Sequence, residues 1–246
     1  GTYYRSVANG TWSDVTTWET DTDPSFSAPS PAAAVPTNLN SVYIEVKSGT
    51  TVSITGNNPA VGISELFVKG TLKNVSTGNP VFTIANSITV MNGGVYQHDR
   101  DGSLIPRMNW NTGSTCLVTG VTNYAITSGL DQAFHHFTWN CTGQMVGQSM
   151  GYPAAPAYTL GGDFTVNSTN VASLMFTILG ANLTVNGNIN VNGGILYLQG
   201  LSSITTFYAQ GNIAVASGAS LFLGAPSGYT NLYLRGNLTN NGLVNT

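Results

Sequence analysis

Gly162-Asp163-Phe164-Thr165-Val166 returns as Gly187-Asn188-Ile189-Asn190-Val191, as Gly211-Asn212-Ile213-Ala214-Val215 and as Gly236-Asn237-Leu238-Thr239-Asn240. The leading glycines stand 25, 24 and 25 residues apart. Four residues before each glycine the chain reads Tyr158, Leu183, Phe207 and Leu232; two before, it reads Leu160, Val185, Ala209 and Leu234. Within a segment the apolar residues alternate, which is the period of a strand. Across segments the same position stays apolar, which a sandwich or an up-and-down barrel does not require. Short strands recurring at one period read as coils of a β-solenoid, in which each coil buries its apolar face only by stacking on the next.

Carried backwards without the glycine, the register aligns Val166 with Cys141, Cys116 and Val90. With shorter coils before Val90, the pattern predicts an all-β parallel β-helix, or β-solenoid, of about eight coils of 24–26 residues. Asn92-Gly93-Gly94, Asn192-Gly193-Gly194 and Ser217-Gly218 read as corners, where glycine accepts positive φ. The residue after each repeat glycine (Asp163, Asn188, Asn212, Asn237) predicts a stacked amide ladder.

Composition agrees. Of 246 residues only 7% are charged, while 26 Asn, 31 Thr, 22 Ser and 29 Gly supply turns and polar strand positions. Seven Lys+Arg against ten Asp+Glu give no basic footprint, so nucleic acid is not an expected partner. No apolar run is long enough for a membrane-spanning helix, so no membrane insertion is expected. Cys116 and Cys141 form no CxxC pair and no metal-ligand spacing; they read as buried free thiols, since stacked Cβ atoms lie farther apart than a disulfide prefers.

Residues 1–40 differ from the repeats. They hold Trp12, Trp18, Tyr3, Tyr4, Phe26 and a Pro/Ala/Ser loop over 23–37, and they read as an aromatic cap on the solenoid of residues 41–246. The pattern is still running at Leu243-Val244-Asn245-Thr246, which suggests a piece of a longer chain with further domains, or an end covered by a partner.

Gly10-Thr11-Trp12-Ser13-Asp14-Val15-Thr16-Thr17-Trp18 resembles the G-x-W-S-D-x-x-T-W opening of G8-like modules and of many secreted bacterial β-helix proteins. The likeness continues through Pro36, Val42-Tyr43-Ile44, Gly49-Thr50-Thr51-Val52 and Leu66-Phe67-Val68-Lys69-Gly70-Thr71-Leu72. Asn38-Leu39-Asn40 stands where such modules usually carry Gly-Asp. The remaining chain is similar to right-handed parallel β-helix repeats of large adhesin-like proteins. The resemblance implies a right-handed coil and an extracellular or cell-surface location. It transfers no catalytic residue, although some relatives join such a cap to polysaccharide-cleaving β-helices.

The densest polar cluster is His98-Asp99-Arg100-Asp101 with Arg107, followed by Asp131 and His135. A β-helix lyase needs a base (His98 or His135), a cation for the uronate (Arg100 or Arg107) and sometimes Ca²⁺ on carboxylates such as Asp99, Asp101 and Asp131. A hydrolase would need paired carboxylates, for which Asp99 and Asp101 are candidates. The competing reading is a solvated corner loop with an Arg107–Asp131 ion pair and no cofactor. Trp110, Tyr124 and Tyr152 are candidates for stacking on sugar rings. The sequence therefore favours a non-enzymatic structural or adhesive module that presents a polar face and loops to a glycan or cell-surface protein. A polysaccharide-active β-helix is the alternative, and an ice- or crystal-binding threonine face a minor one.

Overall fold

The computed structural model describes all residues except 38, 57–59, 64, 79–80, 85–87, 152–156, 178–181, 201–203, 226–228 and 246. The described residues form parallel β-sheets stacked as a solenoid of about seven coils, one fewer than expected. Their only helical element is the 3₁₀ turn Val15–Thr17, and no helix is long and apolar enough to cross a membrane. Two compact units are present: Gly1–Arg100 with Pro106–Thr115, and Asp101–Ile105 with Cys116–Thr246.

In the N-terminal unit one sheet runs Asn109–Trp110, Ile88–Val90, Leu66–Val68, Tyr43–Val46 and Tyr3–Ser6, all parallel. It then turns antiparallel through Trp18–Asp21 and Ser30–Pro31. Trp18 opens the first of these antiparallel strands. Trp12 and Trp18 are buried edge to face, 5.1 Å between centroids, and Trp18 Nε1 donates to the Trp12 carbonyl at 3.1 Å. The last strand ends in Pro31 and is preceded by Pro29, neither of which has an N–H to offer another strand, and pairing stops there. A second parallel sheet runs Gly10–Thr11, Thr51–Ile54, Thr71–Asn74 and Val95–His98. Ile44, Val46, Leu66, Val68, Ile88, Val90, Val52, Ile54 and Leu72 pack between the sheets. Burying such a side chain contributes about 1.5–3 kcal/mol.

The C-terminal unit has three sheets. One stacks Phe164–Ser168, Ile189–Val191, Ile213–Val215 and Leu238–Asn240 after His136–Asn140. The second stacks Gln148–Met150, Leu174–Phe176, Ile195–Tyr197, Ser220–Phe222 and Leu243–Asn245. The third stacks Ala157–Leu160, Asn182–Val185, Ile204–Ala209 and Tyr229–Leu234. Phe137, Phe164 and Phe176 form its aromatic core, with centroids 5.5 and 5.0 Å apart, and Phe207 joins Phe176 at 5.8 Å.

The glycine-led repeats pair in the expected register: Phe164, Ile189, Ile213 and Leu238 lie opposite one another. The backward extension is corrected. Trp139, not Cys141, lies opposite Val166, because this coil steps by 27 residues, from Phe137 to Phe164, and not by 25. Val90 lies opposite Trp110, so Cys116 does not continue its column. Alternation has period two, so an even slip keeps the same face inward and leaves no trace in the pattern. Both cysteines are buried free thiols, and Cys141 Sγ lies 3.6 Å from the Val118 carbonyl. Gly93, Gly194 and Gly218 occupy the expected corners with φ of 76°, 78° and 82°.

The ladder forms, as side chain to backbone. The Oδ1 atoms of Asp163, Asn188 and Asn212 accept the backbone N–H of Asn188 (2.7 Å), Asn212 (2.9 Å) and Asn237 (2.9 Å). His136 heads the column, its Nδ1 accepting the Asp163 N–H at 3.0 Å.

Candidate functional site

The loop residues singled out in the sequence are mostly held by structural bonds. His98 faces the core in the inward column of Ile54 and Asn74 and is fully buried. Asp99 pairs with Lys73 Nζ at 2.7 Å. Arg100 Nη1 donates to Ser76 Oγ at 3.0 Å and to the Gly78 carbonyl. Arg107 is exposed and Trp110 half-buried on the last short strand of that unit.

In the C-terminal unit, Asp101 accepts the backbone N–H of Thr122 (2.7 Å), Tyr124 (2.9 Å) and Asn123 (3.0 Å). Burial pushes its carboxyl upward, but these bonds outweigh burial and hold it below the usual carboxylate range. The clip leaves the Tyr124 side chain 72% exposed. Asp131 is half-buried, in a different unit from Arg107. His135 sits edge-on to His136 at 4.3 Å. Burial first, then His136, lowers its imidazole pKa, partly offset by Asp163. His136 uses Nδ1 as an acceptor, so in this geometry that nitrogen carries no proton. Asp163 Oδ2 stands 3.9 Å away. Tyr152 lies outside the described residues. Among the described residues no group of three or more His, Cys, Asp or Glu is placed to hold a metal ion.

The register gathers a richer cluster that sequence proximity hides. On the outward face of the N-terminal sheet, Glu19 lies opposite Arg5, Arg5 opposite Glu45, and Glu45 opposite Phe67. Arg5 Nε and Nη2 meet Glu19 Oε1 at 2.7 and 2.5 Å, and its guanidinium lies 4.3 Å above the Phe26 ring. Glu45 Oε2 accepts from the Tyr43 hydroxyl at 2.7 Å and from Lys69 Nζ at 2.8 Å. Burial and that bond to Glu45 raise the Tyr43 pKa. Tyr43 stacks on Phe67 at 4.9 Å and meets Tyr3 at 5.8 Å. The face therefore presents stacked aromatic rings beside a lysine whose side chain is 41% exposed. The available signal was the shared alternation of Tyr3-Tyr4-Arg5-Ser6 and Tyr43-Ile44-Glu45-Val46, with a tyrosine and a charge outward in each.

No protein-family model matches the chain, no curated protein matches it, and no solved structure matches it.

Proposed function

We propose that the chain is a non-enzymatic, extracellular or cell-surface structural module that adheres to a glycan or protein partner through a polar face and its loops. The observation that carries this reading is the outward face of the N-terminal sheet. There a buried carboxylate, Glu45, fixes Tyr43 and Lys69 in one geometry beside Phe67, with Arg5 and Glu19 already paired next to them. Side chains tied to one another lose little freedom on binding, which favours a preformed recognition surface. The bonds that hold Asp99, Arg100 and Asp101 also support a structural role for their loop.

The test is binding of the full chain to immobilised glycans and cell-surface proteins, run beside an ultraviolet assay for unsaturated uronates. Binding without cleavage is expected. Cleavage of a uronate polymer, or no binding in either format, overturns the reading.

A further inference from the structure

The net charge of the chain is placed unevenly. Its formal value is −3, and residues 1–37 hold Arg5 against Asp14, Glu19, Asp21 and Asp23. The whole side-chain excess therefore sits in the cap, while the remainder balances. Hydrogen bonds from Thr16 and from Ser25 hold the Asp14 and Asp23 carboxyls below the usual range, so they stay ionised in neutral and mildly acid solution.

The same cap contains a cleft of about 320 Å³. Val7, Val15, Pro29, Pro31 and Ala32 supply apolar walls, and Glu19 supplies a carboxylate. The walls are set by backbone bonds: Val7 N–H to the Thr17 carbonyl at 2.9 Å and Ala32 N–H to the Trp18 carbonyl at 3.1 Å. Those donors are spent, as are the Thr16 N–H and hydroxyl on Asp14 and the Trp18 indole N–H on Trp12, and proline has none, which leaves the Ser30 hydroxyl. Arg5 engages only Oε1 of Glu19; Oε2 accepts no hydrogen bond from any described residue. The cleft is thus apolar, poor in donors and set in an acidic cap, so a suitable occupant brings a hydrocarbon stem and a cationic donor.

We infer that this cleft receives a lysine side chain of a partner protein, its methylene stem against the valine and proline walls and its ammonium on Glu19. The inference deepens the adhesive reading by giving one partner class and one site, and it rests on that reading only for its biological setting. The occupant follows from charge complementarity and from the pairing of apolar walls with a half-used carboxylate.

The test is calorimetric titration of the full chain with Nα-acetyl-lysine methylamide, its Nε-acetyl counterpart and the norleucine analogue. The charged probe binds about fivefold tighter than either neutral probe at low salt, the scale of a partly exposed ion pair. The advantage shrinks at high salt. Glu19→Gln removes the advantage and keeps norleucine binding, whereas Val15→Trp, which fills the cleft, removes all three. If Glu19→Gln disturbs the cap through Arg5, the ranking of probes on the unaltered chain at two salt concentrations decides alone. Equal binding of the three probes, binding that survives Val15→Trp, or no lysine binding overturns the inference. Glycan binding without lysine binding overturns the cleft and leaves the module; lysine binding without any glycan or cell-surface partner does the reverse.

Discussion

In the N-terminal unit, paired positions such as Ile44–Leu66, Leu66–Ile88, Val52–Leu72, Leu72–Tyr96 and Val90–Trp110 step by 20 to 24 residues. In the C-terminal unit, Phe137–Phe164, Phe164–Ile189, Ile189–Ile213 and Ile213–Leu238 step by 24 to 27. The second region is held by one motif repeated, an Asp or Asn side-chain oxygen under the next coil's N–H. Among its described residues the first shows no column of this kind that recurs from coil to coil. Its outward face is tied by Arg5–Glu19, Lys69–Glu45 and the Tyr43–Phe67 stack, each bond used once. Regular coils propagate through one small polar acceptor per coil. An irregular region that spends scarce charges is where a binding chemistry is to be sought, in a chain with seventeen charged residues.

The largest expected effect breaks the irregular side. Trp18→Ala removes a side chain that is 1% exposed and braced by Trp12. It should cost about 3–5 kcal/mol, read as a fall in the urea midpoint. Gly94→Ala comes next. A Cβ there would lie 2.0 Å from the Val68 carbonyl oxygen, a backbone atom that cannot swing away, and a loss above about 2 kcal/mol is expected. By contrast, a Cβ at the Gly218 corner meets nothing within 4 Å. Gly218→Ala should therefore cost only its positive φ, about 1–2 kcal/mol, in the same denaturation measurement.

The regular side is probed by Asn188→Ala, which strips the acceptor from the Asn212 N–H. About 1 kcal/mol is expected, while the outward Thr239→Ala should stay within about 0.5 kcal/mol. A larger loss at Thr239 than at Asn188 would remove the ladder from the account.

The smallest effect concerns pH. The folded pKa of His135 lies below its ordinary value, so the unfolded chain takes up the proton first as pH falls. Stability from this group is present above the ordinary histidine range near 6.5 and is lost as pH drops through it. Thermal melts between about pH 7.5 and 5.5 should show this decline, and His135→Gln should flatten it; an unchanged slope in that variant contradicts the assignment.

How much of this was legible follows the same division. The repeats led by Gly162, Gly187, Gly211 and Gly236 were readable because the glycine anchors the phase. A Cβ on Gly211 would lie 2.5 Å from the Gly187 carbonyl oxygen, so the spacing is enforced by contact. Before Gly162 there is no such anchor, and alternation alone placed Cys141 where Trp139 sits. The ladder's members were visible, but not that His136 heads it, because histidine does not resemble asparagine in a pattern search. The loop of residues 98–101 drew notice because its polar groups are adjacent in sequence. Arg5, Glu19, Glu45 and Lys69 did not, since only strand pairing across more than sixty residues brings them onto one face.

The most direct test of the central claim compares two faces of the same full chain for retention on immobilised glycans and cell-surface proteins. Tyr43→Ser with Lys69→Ser alters the outward face of the N-terminal sheet; Thr165→Ser with Asn190→Ser alters the outward face of the regular coils. Retention lost with the first pair and kept with the second, at unchanged circular dichroism, is the predicted result. Retention kept with the first pair, or lost equally with both, would contradict it.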